Sequence, residues 1–204
     1  MVLSGVCRPA AEEETDMTDM TGRRVLAVVT NRGIEQDELL VPVAHLRDAG
    51  ATVDVAAVSD DEIRTLVGDE DPGETTHPTT TLAAADASAY DLLLVPGGTL
   101  NADALRLESD AVELARAFAG AGKPIAAICH GPWLLVEADL VEGKTLTSYP
   151  SLATDIRNAG AAAWVDEPVK VCPTEGYTLI TSRTPDDLDE FLGAIDDTLS
   201  QVSA

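Results

Sequence analysis

Lys123-Pro124-Ile125-Ala126-Ala127-Ile128-Cys129-His130-Gly131-Pro132-Trp133-Leu134-Leu135-Val136 is the stretch from which the rest of the chain is read. Ile125 to Ile128 is a short apolar run with β-branched ends, the pattern of a buried strand. Pro132 suits the first turn of a helix, where a missing N–H costs nothing, and Trp133 to Ala138 continues as an apolar helix. A strand that breaks abruptly into a helix at Cys129 has the geometry of a nucleophile elbow. The small neighbours Ala127 and Gly131 permit a tight turn, and the helix N-terminus is expected to lower the Cys129 pKa.

Working outward, Arg24 to Thr30 reads as a buried first strand, followed by a loop over 31–35. Gln36 to Ala49 carries Leu39, Leu40, Val43 and Leu46 on one helical face. Gly50 closes that helix, and Pro42 either kinks it or marks a later start. Thr52 to Val58 is a second strand, so the first three elements form a βαβ unit with parallel strands. Asp60 to Thr81 is acidic and rich in Gly, Pro and Thr, with room for a short hairpin. Asp91 to Val95 is a third strand ended by Pro96-Gly97-Gly98, and Asp110 to Ala121 is a helix.

Beyond the elbow, Gly143 to Thr147 is a strand candidate and Pro150 to Ala159 a helix. Val169 to Cys172 and Thr178 to Thr181 suggest a hairpin, and Pro185 to Leu199 a final amphipathic helix. The alternation predicts a doubly wound α/β fold, a mostly parallel, flavodoxin-like sheet sandwiched by helices. Ligands of such sheets bind at the carboxyl ends of the strands. Glu35, Gly97-Gly98 and Cys129 all follow strand ends and are expected to converge. Residues 1–21 are polar and acidic without periodicity and read as a flexible extension; residues 22–204 form the α/β domain.

The composition narrows the function classes. Hydrophobic residues make up 45% of the 204-residue chain, enough for a real core. Aromatics are only 3%, so that core rests on Ala, Val, Leu and Ile. The 36 acidic residues outnumber 13 basic ones, for a net charge of −23. Such a surface repels nucleic acid and anionic membranes. The acids are spread along the whole chain, which fits adaptation to high salt better than one acidic patch for a basic partner.

Cys7, Cys129 and Cys172 have no metal-ligand spacing and no disulfide pattern. No cofactor or metal is expected. No apolar run reaches the ~20 residues of a membrane span, and no signal peptide pattern opens the chain. A cytoplasmic location is therefore expected.

Cys129 is the candidate nucleophile. Glu35 is the candidate carboxyl pressed against its sulfur, where a partly buried acid shares or keeps its proton. Backbone N–H groups of Gly98 and His130 are candidates for an oxyanion hole. His130 as a base for its own neighbour needs an unusual backbone, because adjacent side chains point apart. Asp103, five residues past Gly98, is the candidate acid for orienting the imidazole.

These residues resemble the PfpI/ThiJ superfamily, also described as class I glutamine amidotransferase-like, and within it the PfpI-type subfamily. The resemblance is carried by Ala126 to Pro132, Pro96-Gly97-Gly98, Leu146 to Pro150, Asn158 to Ala161 and Thr181 to Leu188, together spanning about residues 23 to 200. It implies Cys129 as nucleophile, Glu35 as its proton-sharing partner, and Gly98 and His130 as oxyanion donors. It also implies a homodimer or higher homo-oligomer in which Asp103 of one subunit meets His130 of another. At the first strand, Gly33-Ile34-Glu35-Gln36 replaces the subfamily's more usual aromatic-Glu-Asp.

The activity so implied is cofactor-free, glyoxalase III-like or deglycase-like action on glyoxal, methylglyoxal or their adducts. Two alternatives are an intracellular cysteine peptidase acting on peptides and a redox-responsive stress protein or chaperone. A glutamine amidotransferase is disfavoured, because that class carries its base late in the chain and no His follows His130.

Overall fold

The computed structural model describes residues 18–202. The first half of the chain runs β1 (Arg24–Val28), β2 (Arg32–Glu35), α1 (Gln36–Asp48), β3 (Thr52–Ala57), β4 (Ile63–Val67), β5 (Asp71–Thr76), β6 (Thr80–Thr81), β7 (Leu92–Val95), α2 (Thr99–Leu105) and α3 (Ser109–Gly120). The second half runs β8 (Ile125–Ile128), α4 (Pro132–Glu137), β9 (Thr145–Leu146), α5 (Ala153–Asn158), β10 (Ala163–Trp164), β11 (Val169–Cys172), β12 (Leu179–Ser182) and α6 (Leu188–Gln201).

Seven strands make one sheet in the order β11-β12-β8-β7-β1-β3-β6. Its neighbours pair in parallel except β11 with β12, the hairpin read from the sequence. Strand period two sends alternate residues to opposite faces. Val25 and Ala27 of β1 join a core layer with Leu39, Val43 and Leu46 of α1 and Phe191 and Ile195 of α6. Leu26 and Val28 join the opposite layer with Ala115 and Phe118 of α3 and Leu134 and Leu135 of α4. Each layer is therefore mostly aliphatic, with phenylalanine contributed by α6 on one side and α3 on the other.

Several segments differ from the sequence reading. Residues 32–35 are strand β2, not loop; β2 pairs with β4, and β4 pairs with β5, in a separate three-stranded sheet. The polar 60–81 segment thus folds as a hairpin whose turn lies at Gly68 and Asp69, both at positive φ. Short α2 carries too few turns to show a periodicity. It is anchored by buried Asn101, whose Oδ1 accepts the Thr30 N–H at 2.8 Å and whose Nδ2 donates to Gly97 O at 2.9 Å.

Helix α1 continues through Pro42, which lacks the N–H that would bond the Glu38 carbonyl. Residues 150–159 divide into a 3₁₀ turn (Pro150–Leu152) and α5. Met20 departs from the extension expected over 1–21: it is 1% exposed in the core, and its N–H donates to Ala49 O at 2.7 Å. Cys7 and the Glu12-Glu13-Glu14 run lie outside the described residues.

Candidate active site

Strand β8 ends at Ile128, and Cys129 takes φ 61°, a conformation L-residues rarely adopt. Three backbone bonds hold the turn: Cys129 N–H to Ser182 O (3.0 Å), Tyr149 N–H to Cys129 O (2.9 Å) and Gly131 N–H to Ile128 O (2.8 Å). Pro132 is at the start of α4, as its ring allows. The strained φ also turns two adjacent side chains toward each other: Cys129 Sγ lies 3.2 Å from His130 Nδ1. The imidazole stacks on Tyr149 with ring centres 4.6 Å apart.

The carboxyl at the sulfur is Glu38, one helical turn beyond Glu35. Glu38 is fully buried, and its Oε2 accepts the Gly97 N–H at 2.8 Å. Its Oε1 has no regular hydrogen-bond partner among the described residues, and the Cys129 thiol is the polar group beside this carboxyl. Burial pushes the Glu38 pKa up to about 8; bonds from Cys129 and Gly97 oppose the rise, and the charges of Glu35 and Asp69 add to it. Glu38 is therefore protonated at neutral pH and able to donate to sulfur.

Glu35 lines the same cleft, but its carboxylate is spent on the hairpin turn, accepting the Gly68 and Asp69 N–H groups at 3.1 Å each. The sequence reading missed Glu38 because it sits among many acids. The available signal was its place beside the Leu39-Val43-Leu46 stripe, which turns that side of α1 inward.

The expectation that the elbow alone lowers the Cys129 pKa is reversed. Burial pushes the thiol up, and an ionised Glu38 pushes it further; the Gly98 and His130 N–H groups pull the other way. At rest the pair is a neutral thiol beside a neutral acid, and a thiolate forms only when its proton has somewhere to go. His130 is held below its usual pKa by burial, partly offset by the Asp69 charge, so it is a neutral acceptor. Cys172 goes the other way: hydrogen bonds from Thr174 and the Thr145 N–H, with the Lys144 charge, outweigh its burial and lower its pKa.

Gly97 and Gly98 let backbone pass close to the sulfur. A Cβ on Gly97 would stand 2.6 Å from Glu38 Oε2 and 2.8 Å from His130 N, and Gly98 needs φ 83°. Asp103 is exposed on α2 and makes no hydrogen bond with His130 within the described residues. The cleft is about 270 Å³, lined by Cys129, His130, Glu38, Asp69, Thr99 and Tyr149 among others. A larger depression of about 400 Å³ between Leu82 and Leu114 is lined by no cysteine, serine or histidine among the described residues.

Sheet order, elbow and buried acid together define a doubly wound α/β protein with a cysteine at the carboxyl end of its central strand. The chain belongs to the DJ-1/PfpI family, whose sequence profile matches residues 23–197. It is 36% identical over 166 residues to General stress protein 18 of Bacillus subtilis, covering 81% of this chain and 92% of that protein. It is 35% identical over 166 residues to Protein/nucleic acid deglycase 2 of Escherichia coli, with the same two coverages. The crystal structure of Drosophila melanogaster DJ-1beta superposes with a TM-score of 0.76 at 31% identity, covering 88% of this chain and 91% of that one. No helix among the described residues is long and apolar enough to cross a membrane.

Proposed function

We propose that this protein is a cofactor-independent enzyme that converts small reactive carbonyls, such as methylglyoxal, to hydroxy acids through Cys129. The observation that carries this reading is the protonated, buried Glu38 carboxyl beside the elbow thiol. The likeness to a named deglycase supports the substrate class. The cleft, at about 270 Å³, falls just below the usual ~300–1,000 Å³ range of ligand pockets, which suits an aldehyde of a few atoms better than an extended peptide.

The steps balance without a redox partner. The thiol proton passes to His130 Nδ1 and sulfur attacks the aldehyde carbon, with the developing oxyanion facing the Gly98 and His130 N–H groups. Glu38 gives its proton to that oxygen, forming the hemithioacetal. As a carboxylate it then removes the hydrogen from the former aldehyde carbon and returns a proton to the adjacent carbon, while the hemithioacetal hydroxyl proton moves to the neighbouring oxygen, leaving a 2-hydroxy thioester. Water hydrolyses the thioester: of its two protons one restores Glu38 and one leaves to solvent, His130 returns its proton to the departing sulfur, and the sum is methylglyoxal plus water to lactate and a proton.

The test is a panel in molar KCl that follows methylglyoxal loss and peptide cleavage, with Cys129→Ala as control. Methylglyoxal loss that vanishes in Cys129→Ala is expected. Peptide cleavage without it would replace this reading with the peptidase one, and neither activity would favour a non-catalytic stress role.

A further inference from the structure

His130 Nε2, the nitrogen facing away from the sulfur, lies 3.4 Å from Thr99 Oγ1 and 3.4 Å from Ser151 Oγ. Thr99 is not free to act either way. Its Oγ1 is 2.6 Å from Asp69 Oδ2, and its N–H donates to Asp69 Oδ1 at 2.8 Å. A carboxylate only accepts, so the hydrogen in the 2.6 Å bond is the threonine's, and the hydroxyl presents a lone pair to His130. Asp69 is itself fixed, because its N–H and that of Gly68 are held by Glu35.

We propose that Asp69 and Thr99 are positioning residues that set the His130 tautomer, and so make Nδ1 the acceptor for the Cys129 thiol proton. A lone pair on Thr99 Oγ1 calls for a hydrogen on Nε2, which leaves Nδ1 bare, 3.2 Å from sulfur. When the thiol proton reaches Nδ1, the S–H bond breaks, its electron pair stays on sulfur, and the imidazolium is stabilised through Thr99 by the Asp69 charge. The hairpin turn thereby supplies an acid for the histidine of its own chain. This gives Glu35 a place as well: it holds the turn that holds Asp69.

The proposal rests on Cys129 as nucleophile, so its test reads thiol reactivity rather than turnover. Iodoacetamide labelling of Cys129 is followed against pH, with Cys172 as internal reference. The ionisable groups facing the pair are Glu38 from α1, Glu35 at its N-terminus, Asp69 from the hairpin and Tyr149; among the described residues no lysine or arginine lines the cleft. Thr99→Val and Asp69→Asn are expected to slow Cys129 labelling at pH 7 by roughly 10-fold, the effect of one pKa unit lost from the imidazolium. Thr99→Ser is expected to restore it.

Profiles of Thr99→Val and Asp69→Asn that superimpose on wild type overturn the relay, as does a Thr99→Ser as slow as Thr99→Val. Nitrogen NMR of His130 in the unaltered protein decides the matter even if a variant misfolds or the thiol resists labelling. A hydrogen on Nε2 is expected, and one on Nδ1 contradicts the proposal. Loss of carbonyl turnover with an intact relay would count against the function alone.

Discussion

At the residue scale the chemistry turns on which carboxyl is dry. Glu38 and Glu35 lie one helical turn apart, yet one is fully buried at the sulfur and the other binds a turn at the cleft rim. The buried acid should leave a signature in stability. Its folded pKa of about 8 lies above the ordinary 4.5. Between those values the folded state holds a proton that the unfolded state has released. Glu38 thus contributes stability that is fully present below about pH 4.5 and lost as pH rises through about 8.

Urea denaturation should show wild type losing stability relative to Glu38→Gln across that window; a constant difference would mean that Glu38 is ionised in the fold. The candidate nucleophile and its elbow were legible in the sequence through the strand, Cys129 and Pro132. The acid was not, because burial depends on the rotation of α1 and on where Gly97 approaches, neither of which a run of carboxylates reveals.

At the element scale, the site is the meeting of four strand ends or turns with the first turns of α1, α2 and α4. The central strands, α1 and α6 were readable because apolar periodicity is strong there. The β4–β5 hairpin was legible only as room for one in the 60–81 segment, without its strands, and α2 was not legible, because it is short and both are held by contact with β2 and by Asn101. These two quiet elements carry Asp69 and Thr99. Gly97→Ala tests the packing between them and α1. Its Cβ would crowd Glu38 Oε2 and His130 N, and the cost expected for such overpacking is about 1–3 kcal/mol. A lowered melting temperature together with slowed Cys129 labelling is expected; an unchanged melt would mean that the Pro96–Gly98 turn can move away freely.

At the scale of the whole molecule, charge dominates. With a net charge of −23, most carboxylates have no cation to meet. The ion pairs that form, such as Arg24–Asp54 and Arg106–Glu137, are partly exposed and individually weak. Salt shortens the Debye length from ~10 Å at 0.1 M to ~3 Å at 1 M and so relieves the self-repulsion. Thermal melts are expected to rise clearly from low salt to molar KCl, and equal melting temperatures would remove the high-salt reading. Asp103 is exposed on α2 beside half-exposed Leu100 and largely exposed Leu107, and the assembly expected from the sequence would bring a second copy to it. Light scattering in molar KCl is expected to give at least twice 21.3 kDa, and a strict monomer would leave Asp103 without a role at His130.

The central claim, that Cys129 works with Glu38 as its proton carrier, is tested most directly by proton NMR of methylglyoxal turnover in molar KCl. Wild type is expected to form lactate, Cys129→Ser essentially none, and Glu38→Gln lactate at a rate reduced by about 10²–10⁴. Lactate formation by Glu38→Gln at the wild-type rate, with the loss appearing in Glu35→Gln instead, would contradict it.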